Sequence, residues 1–300
     1  MLSFLPVCIE NVMQLRPYME KQPFRFCDYT VGSIFQWRAY FSTRFAIQDD
    51  MLHVSVDYPG EGRYYSFPVG PGDIGGAFDA IEEDALARGQ ALRFCCVPAE
   101  AVPVLEARYG DRCLLSTRRD WADYLYSAGD LTRFPGKRYH TQRSHLNRFN
   151  RENPAARFVP VDADTLPGAV AFLDGYERHM PAHRVIEAEE MRRSKELLHY
   201  ATRLNQKAGF VETGGVVVAL AIGEVVGDTL YVHVEKARLD YPGAYQAIVS
   251  QFAAYACADA VQYINREDDS GEEGLRYSKM AYRPVRLIDK YWAQIRPATA

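Results

Sequence analysis

The chain has no long apolar run. Its longest, Val216 to Ile222, falls far short of the roughly 20 residues that cross a bilayer, so no transmembrane helix is expected. No leader is expected at its N-terminal end either. The N-terminal stretch MLSFLPVCIENVMQLRPYMEK has no basic start, and Glu10 interrupts its apolar part. A soluble cytoplasmic protein is the expectation. No C-x-x-C pair or zinc-type spacing occurs among Cys8, Cys27, Cys95, Cys96, Cys113 and Cys257, which reads as reduced thiols rather than a disulfide framework or a metal site. Charge of one sign is missing too. A net charge of −4 excludes a protein that coats nucleic acid through its overall charge, while leaving a local basic patch open. Neither a P-loop, a Rossmann fingerprint nor a Ser-His-Asp order appears. Asp73 to Phe78 (DIGGAF) has paired glycines at the wrong spacing for a dinucleotide.

What remains is a chain of 300 residues, 48% hydrophobic, long enough for two domains with full cores. The first half reads as strand, strand, helix, strand, helix. Asp50–Asp57 and Arg63–Val69 are strands, with Gly60 and Gly62 at the turn between them. Ile74–Arg88 has helical spacing, Ala91–Val97 is an apolar strand, and Ala99–Tyr109 is helical again. Trp121–Tyr126 is a further strand, before a break at Phe134-Pro135-Gly136.

The second half repeats that order: a strand at Arg157–Val161, helices at Leu166–His179 and Glu187–Gln206, then strands at Gly209–Thr213, Val216–Glu224 and Thr229–Lys236. Gly214-Gly215 makes a hairpin turn. A helix, a short strand at Val261–Asn265, a helix at Gly271–Ala281 and a last strand at Arg286–Trp292 complete it. The expected domains are 1–134 and 135–300, in a mixed α/β class.

Candidate site residues gather in the second half. Period-two alternation in Thr229–Lys236 sends Tyr231, His233 and Glu235 to one face. A carboxylate near an imidazole raises its basicity, which suits a general base that must deprotonate an amine. Asn265, Arg266, Glu267 and Asp268 follow a short strand, where ligands gather in open α/β folds. Glu267 is a second catalytic candidate; Asn265, Arg266 and Asp268 are binding candidates, as is Tyr231. Ser270 and Glu273 fit a capping box and are given a structural role. Arg276 and Lys279 share a helix face and, with Lys290 and Tyr291, form a candidate phosphate or carboxylate site. From Gly136 to Asn153 the chain reads as one basic helix bearing Lys137, Arg138, Arg143, Arg148 and Arg151, with a buried stripe of Tyr139, Leu146 and Phe149. Lys137, Arg138, His140 and Arg143 are the candidate contacts for an anionic carrier. His140 and His145 are too isolated to be metal ligands.

Three stretches carry a resemblance: GKRYHTQRSHLNRFNREN, LYVHVEKARLDYPGAYQAIVSQFA and YINREDDSGEEGLRYSKMAYRP with its trailing KYW. Over roughly residues 20 to 292 the chain resembles the C-terminal domain of phosphatidylglycerol lysyltransferases and their soluble relatives, which are similar to the Fem-type peptidoglycan aminoacyltransferases. The resemblance implies two tandem GNAT-like folds and transfer of an aminoacyl group from a charged tRNA to an amine or a lipid hydroxyl. It implies no required cofactor, a tRNA or other phosphate-bearing donor, and a small amine or lipid headgroup as acceptor. The multi-pass membrane domain of the full lysyltransferases has no counterpart in these 300 residues. The glycine-rich loop of acetyl-CoA-dependent members is missing as well. Its place is taken by Asp240–Tyr245, whose single glycine offers few free N–H groups to a pyrophosphate. An acetyl-CoA-dependent acetyltransferase and a non-catalytic module that binds tRNA or a phosphorylated ligand are the alternatives.

Overall fold

A computed structural model describes residues 2–179, 185–257 and 260–297. The chain forms two compact units. One runs up to Ala122 and is rejoined by the chain from Ile288 onward; the other is Asp123–Leu287. The expected division at residues 134 and 135 lies elsewhere because strand pairing, which the local pattern does not encode, carries both borders.

The first unit holds β1 (Leu5–Pro6), α1 (Arg16–Met19), α2 (Val31–Trp37), β2 (Arg44–Gln48), β3 (Met51–Tyr58) and β4 (Gly62–Ser66). Then come α3 (Ile74–Ala87), β5 (Arg93–Pro98), α4 (Val102–Tyr109) and β6 (Cys113–Thr117). The second unit holds β7 (Asp123–Ser127), α5 (Ala128–Arg133), α6 (His140–Glu152), β8 (Arg157–Pro160), α7 (Leu166–His179) and α8 (Val185–His199). It continues with β9 (Lys207–Thr213), β10 (Val216–Val226), β11 (Thr229–Ala237), α9 (Ala244–Ala256), β12 (Tyr263–Asn265), α10 (Glu273–Ala281) and β13 (Arg286–Ile288), whose last residue is where the first unit resumes. The chain ends in β14 (Lys290–Ile295).

Each unit is built on a seven-stranded mixed sheet, in the orders β1-β2-β3-β4-β5-β14-β6 and β13-β7-β12-β11-β10-β9-β8. The plans correspond: five strands follow in chain order, and the sixth is lent by a distant segment. The single last strand expected over Arg286–Trp292 is in fact two strands, β13 in the second sheet and β14 in the first. Two such sheets in tandem are the architecture that the resemblance implies.

Local chemistry explains several elements. Gly214 and Gly215 both have positive φ, 56° and 77°, as a two-residue hairpin turn between β9 and β10 demands. Asp73 caps α3 by accepting from the Gly75 and Gly76 N–H groups, so the paired glycines of DIGGAF serve a helix start. The expected basic helix over 136–153 begins later. Lys137–Tyr139 is a 3-10 turn, and the α-helix starts at His140. Its stripe is as expected: Tyr139 and Phe149 are fully buried and Leu146 packs on the same core.

That core lies between one face of the second sheet and α5, α6 and α9. It includes Tyr124, Tyr126, Leu230, Val232, Ile248, Phe252 and Ile264. Gly243, at φ 92°, opens α9; a Cβ there would stand 2.3 Å from the His145 carbonyl oxygen. Glycine is therefore needed where α9 meets α6.

Candidate active site

Three pairs join the parallel strands β11 and β12, from Thr229↔Tyr263 to Tyr231↔Asn265. Beyond them the ladder stops, and side chains span the gap instead. On one side, His233 Nδ1 lies 2.7 Å from Glu267 Oε1, while its Nε2 lies 3.1 Å from Glu224 Oε1. On the other, Arg266 Nη2 donates to Glu235 Oε1 at 2.5 Å. The two stretches singled out in the sequence, 231–235 and 265–268, are brought together.

The alternation expected for Tyr231, His233 and Glu235 does not hold. Val232 pairs with Gly223 and Val234 with Ile222, so His233 is the extra residue of a β-bulge. The bulge shifts the period. Glu235 shares a small cavity with Leu230, Val232, Ile264 and Phe252, away from His233. Gly223 makes the bulge feasible, since a Cβ on it would meet the Tyr231 carbonyl oxygen at 2.2 Å.

Electrostatics separates the two groups. Burial alone would lower the His233 pKa, but the hydrogen bonds and charges of Glu224 and Glu267 outweigh it and raise the value to about 9. His233 is thus an imidazolium at neutral pH. Burial raises the Glu267 pKa, with His233 opposing. Glu267 is the member that reaches solvent: its side chain is 17% exposed, against 0% for His233 and 1% for Glu224. Glu235 and Arg266 form a buried pair, with the Arg266 guanidinium over the Tyr282 and Tyr126 rings. Arg266 Nη1 is buried with no hydrogen-bond partner among the described residues, and Arg266 is one of the residues lining the cavity, which has room for about one water.

The loop after β12 is braced from within. Asn265 donates to Asp123 Oδ2 at 2.8 Å and accepts from the Glu267 N–H at 2.7 Å, which holds Glu267 at a positive φ of 57°. Lys279 is buried and donates to the Arg266 and Glu267 carbonyls at 2.6 and 3.3 Å, and to that of Asp268. Burial lowers its pKa. Arg276 makes two bonds to Asp269, at 2.9 and 2.8 Å. Tyr124 donates to the same carboxylate at 2.6 Å. Burial would raise the Asp269 pKa, but these donors hold it at about 2. Asp268 accepts from the N–H and hydroxyl of Ser270, both at 3.0 Å.

Several expectations change accordingly. Ser270 does not cap α10; the helix starts at Glu273 with Glu272 at its N-cap, because Ser270 is turned into the loop at φ 48°. Arg276 and Lys279 hold the loop rather than face a ligand as a pair. Lys290 and Tyr291 belong to β14 in the first unit, where Lys290 is buried against Asp28 at 2.7 Å. On the basic segment, Lys137, Arg138 and His140 are exposed. Arg138 pairs with Asp130, Arg148 with Glu152, and Arg143 donates to the carbonyls of Phe134 and Gly136. Lys137 and Arg151 have no ion partner among the described residues. Glu224 and Asp123 were not anticipated. Each was legible as a carboxylate inside an otherwise apolar strand, where charge requires a partner.

Residues 22–294 match the family described as phosphatidylglycerol lysyltransferase, C-terminal. No curated protein matches the sequence. A conserved protein of unknown function from Bacteroides thetaiotaomicron has the same fold at a TM-score of 0.93 and 30% identity, covering 99% of this chain and 100% of its own. The C-terminal domain of a putative lysylphosphatidylglycerol synthetase from Agrobacterium fabrum is similar at a TM-score of 0.66 and 14% identity, over 96% and 93% of the two chains. FemX is similar at 0.59 and 10% identity, over 98% of each. No helix among the described residues is long and apolar enough to cross a membrane. By the match over residues 22–294, the chain belongs to the phosphatidylglycerol lysyltransferase C-terminal family, a family of acyltransferases, and it shares its fold with the synthetase domain and with FemX.

Proposed function

We propose that the protein transfers an aminoacyl group from aminoacyl-tRNA to an amine or hydroxyl acceptor, with Glu267 as the general base. The observation that carries this reading is the His233 bridge between Glu224 and Glu267, of which Glu267 alone reaches solvent. The acceptor attacks the ester carbonyl; a new C–N or C–O bond forms and the bond to the tRNA 3′ oxygen breaks. Glu267 takes the acceptor's proton, which returns to the departing 3′ oxygen. Burial makes Glu267 a stronger base than an ordinary carboxylate. His233, already protonated, positions it. Glu235, paired with Arg266 on the other side of the bulge, is not the base. N–H groups where β11 and β12 diverge would stabilise the oxyanion. Lys137, Arg138 and His140 are exposed and fit contacts to the anionic carrier.

An acetyl-CoA donor fits less well. The α9 N-terminus abuts α6 at Gly243, and the Ala244 N–H already donates to the Tyr241 carbonyl. The test offers a panel of charged tRNAs with labelled amino acids to the protein, with small amines and phosphatidylglycerol as acceptors. Transfer that disappears in Glu267→Gln supports the reading. Transfer that is undiminished in Glu267→Gln, or absent with every pair, overturns it.

A further inference from the structure

The first unit contains buried polar groups that the proposed reaction does not use. They lie on the face of its sheet that packs against α3, as the Tyr65 hydroxyl donating to Asp84 of α3 at 2.7 Å establishes. Register places them together. Ser55 of β3 stands between Arg44 of β2 and Tyr65 of β4, and Asp57 stands opposite Arg63. His53, Ser55 and Asp57 alternate along β3 and share this face.

Several of these groups have unmet hydrogen-bonding capacity. Arg44 Nε, Arg63 Nη1, Ser55 Oγ and His53 Nδ1 are buried with no partner among the described residues. Ser55 and His53 are 1% exposed and Arg63 is 9% exposed. Buried polar atoms are nearly always satisfied, so a cluster of orphans on one face calls for a polar guest. The charges specify its sign. Arg88 is paired with Asp84 at 2.8 Å and Arg63 with Asp57 at 3.2 Å, whereas Arg44 has no carboxylate partner among the described residues. Burial lowers the His53 pKa to about 4 against the raising effect of Asp49, an exposed residue of the β2–β3 turn, so His53 is neutral. One positive charge is left over.

We propose that this face of the first sheet binds a small monovalent anion, of halide or carboxylate size, held by Arg44 and Arg63 over the Ser55 hydroxyl. The site lies wholly within the first unit and is independent of the transfer reaction. The anion accepts from Arg63 Nη1, Arg44 Nε and Ser55 Oγ, which are donors left over by the protein's own bonds. A monoanion neutralises the excess charge; a dianion would reverse it.

The test has two parts. Thermal unfolding is followed in sodium bromide, formate and sulfate at equal ionic strength, for the wild type, Arg63→Gln and Ser55→Ala. Saturable stabilisation by bromide and formate but not sulfate is expected, with apparent affinity about tenfold or more weaker in Arg63→Gln and less weakened in Ser55→Ala. Crystals of the wild type grown in bromide should show an anomalous peak between Arg44 and Arg63, a readout that stands even if Arg63→Gln fails to fold. Equal stabilisation by all three salts, an unchanged response in both variants, or bromide density absent from that position in favour of water alone overturns the proposal.

Discussion

The two units use one sheet plan and close its parallel pair differently. In the first unit β4 and β5 are joined only at Tyr65↔Phe94 and Ser66↔Cys95; in the second, β11 and β12 are joined by three pairs. Both then diverge beside a bulge. In the first unit β5 bulges between Phe94 and Val97 against β14, and Cys96 takes φ 49°. Around it pack Cys95, Tyr64 and Trp292. The Cys96 thiol donates to Asp28, and Lys290 closes on Asp28 from the other side. In the second unit the extra residue is His233, and carboxylates flank it. The lesson is that a bulge re-aims a side chain, while the residue placed on it decides the chemistry. Buried thiols and aromatics fill space; hydrogen bonding to Cys95 raises the Cys96 pKa and burial raises it further, which disfavours the reactive thiolate. A histidine between two glutamates instead holds one of them, Glu267, where it reaches solvent.

This contrast can be broken experimentally. Glu267→Gln should have the largest effect, lowering the transfer rate by about 10²–10⁴-fold with the fold retained, as read by single-turnover transfer and circular dichroism. Next, Arg266→Met should destabilise the protein by about 3–5 kcal/mol in urea unfolding, because it leaves the Glu235 carboxylate buried and unpaired; adding Glu235→Leu should recover part of the loss.

The pH dependence of His233 comes third. Its folded-state pKa of about 9 lies above the ordinary value of 6.5, so its stabilisation is full below pH 6.5 and lost as pH rises through 9. The stability difference between wild type and His233→Gln should shrink across that window by about 3 kcal/mol. A constant difference would mean that His233 is not held as an imidazolium. In the first unit, Lys290→Met should cost stability, by about 1–3 kcal/mol, while turnover per folded molecule is unchanged. Abolished turnover in that variant would give the first unit a share in the chemistry. The smallest effect is expected for Lys137→Ala, which should weaken binding of any tRNA slightly and reduce the log–log salt slope by about one.

Much of the fold was legible from local pattern. Gly214-Gly215 predicts its hairpin because only residues tolerant of positive φ make that turn. The Tyr139, Leu146 and Phe149 stripe predicts a buried helix face from spacing alone. Failures came where distant segments meet. Arg286–Trp292 reads as one strand, since an apolar run does not reveal that its halves enter different sheets. Ser270 and Glu273 have the spacing of a cap, but Asp268 captures Ser270 first.

Residue pattern alone carries the family, the α/β alternation and the two short stretches, 231–235 and 265–268, in which the candidate chemistry lies. Which of those residues meet follows from the packing of the strands. One inserted residue at His233 changes the face of every side chain after it, and an insertion is defined only by the strand alongside. That packing also decides that Glu224, nine positions before His233, completes the bridge, because a buried imidazolium draws its counter-charges from neighbouring strands and not from neighbouring positions.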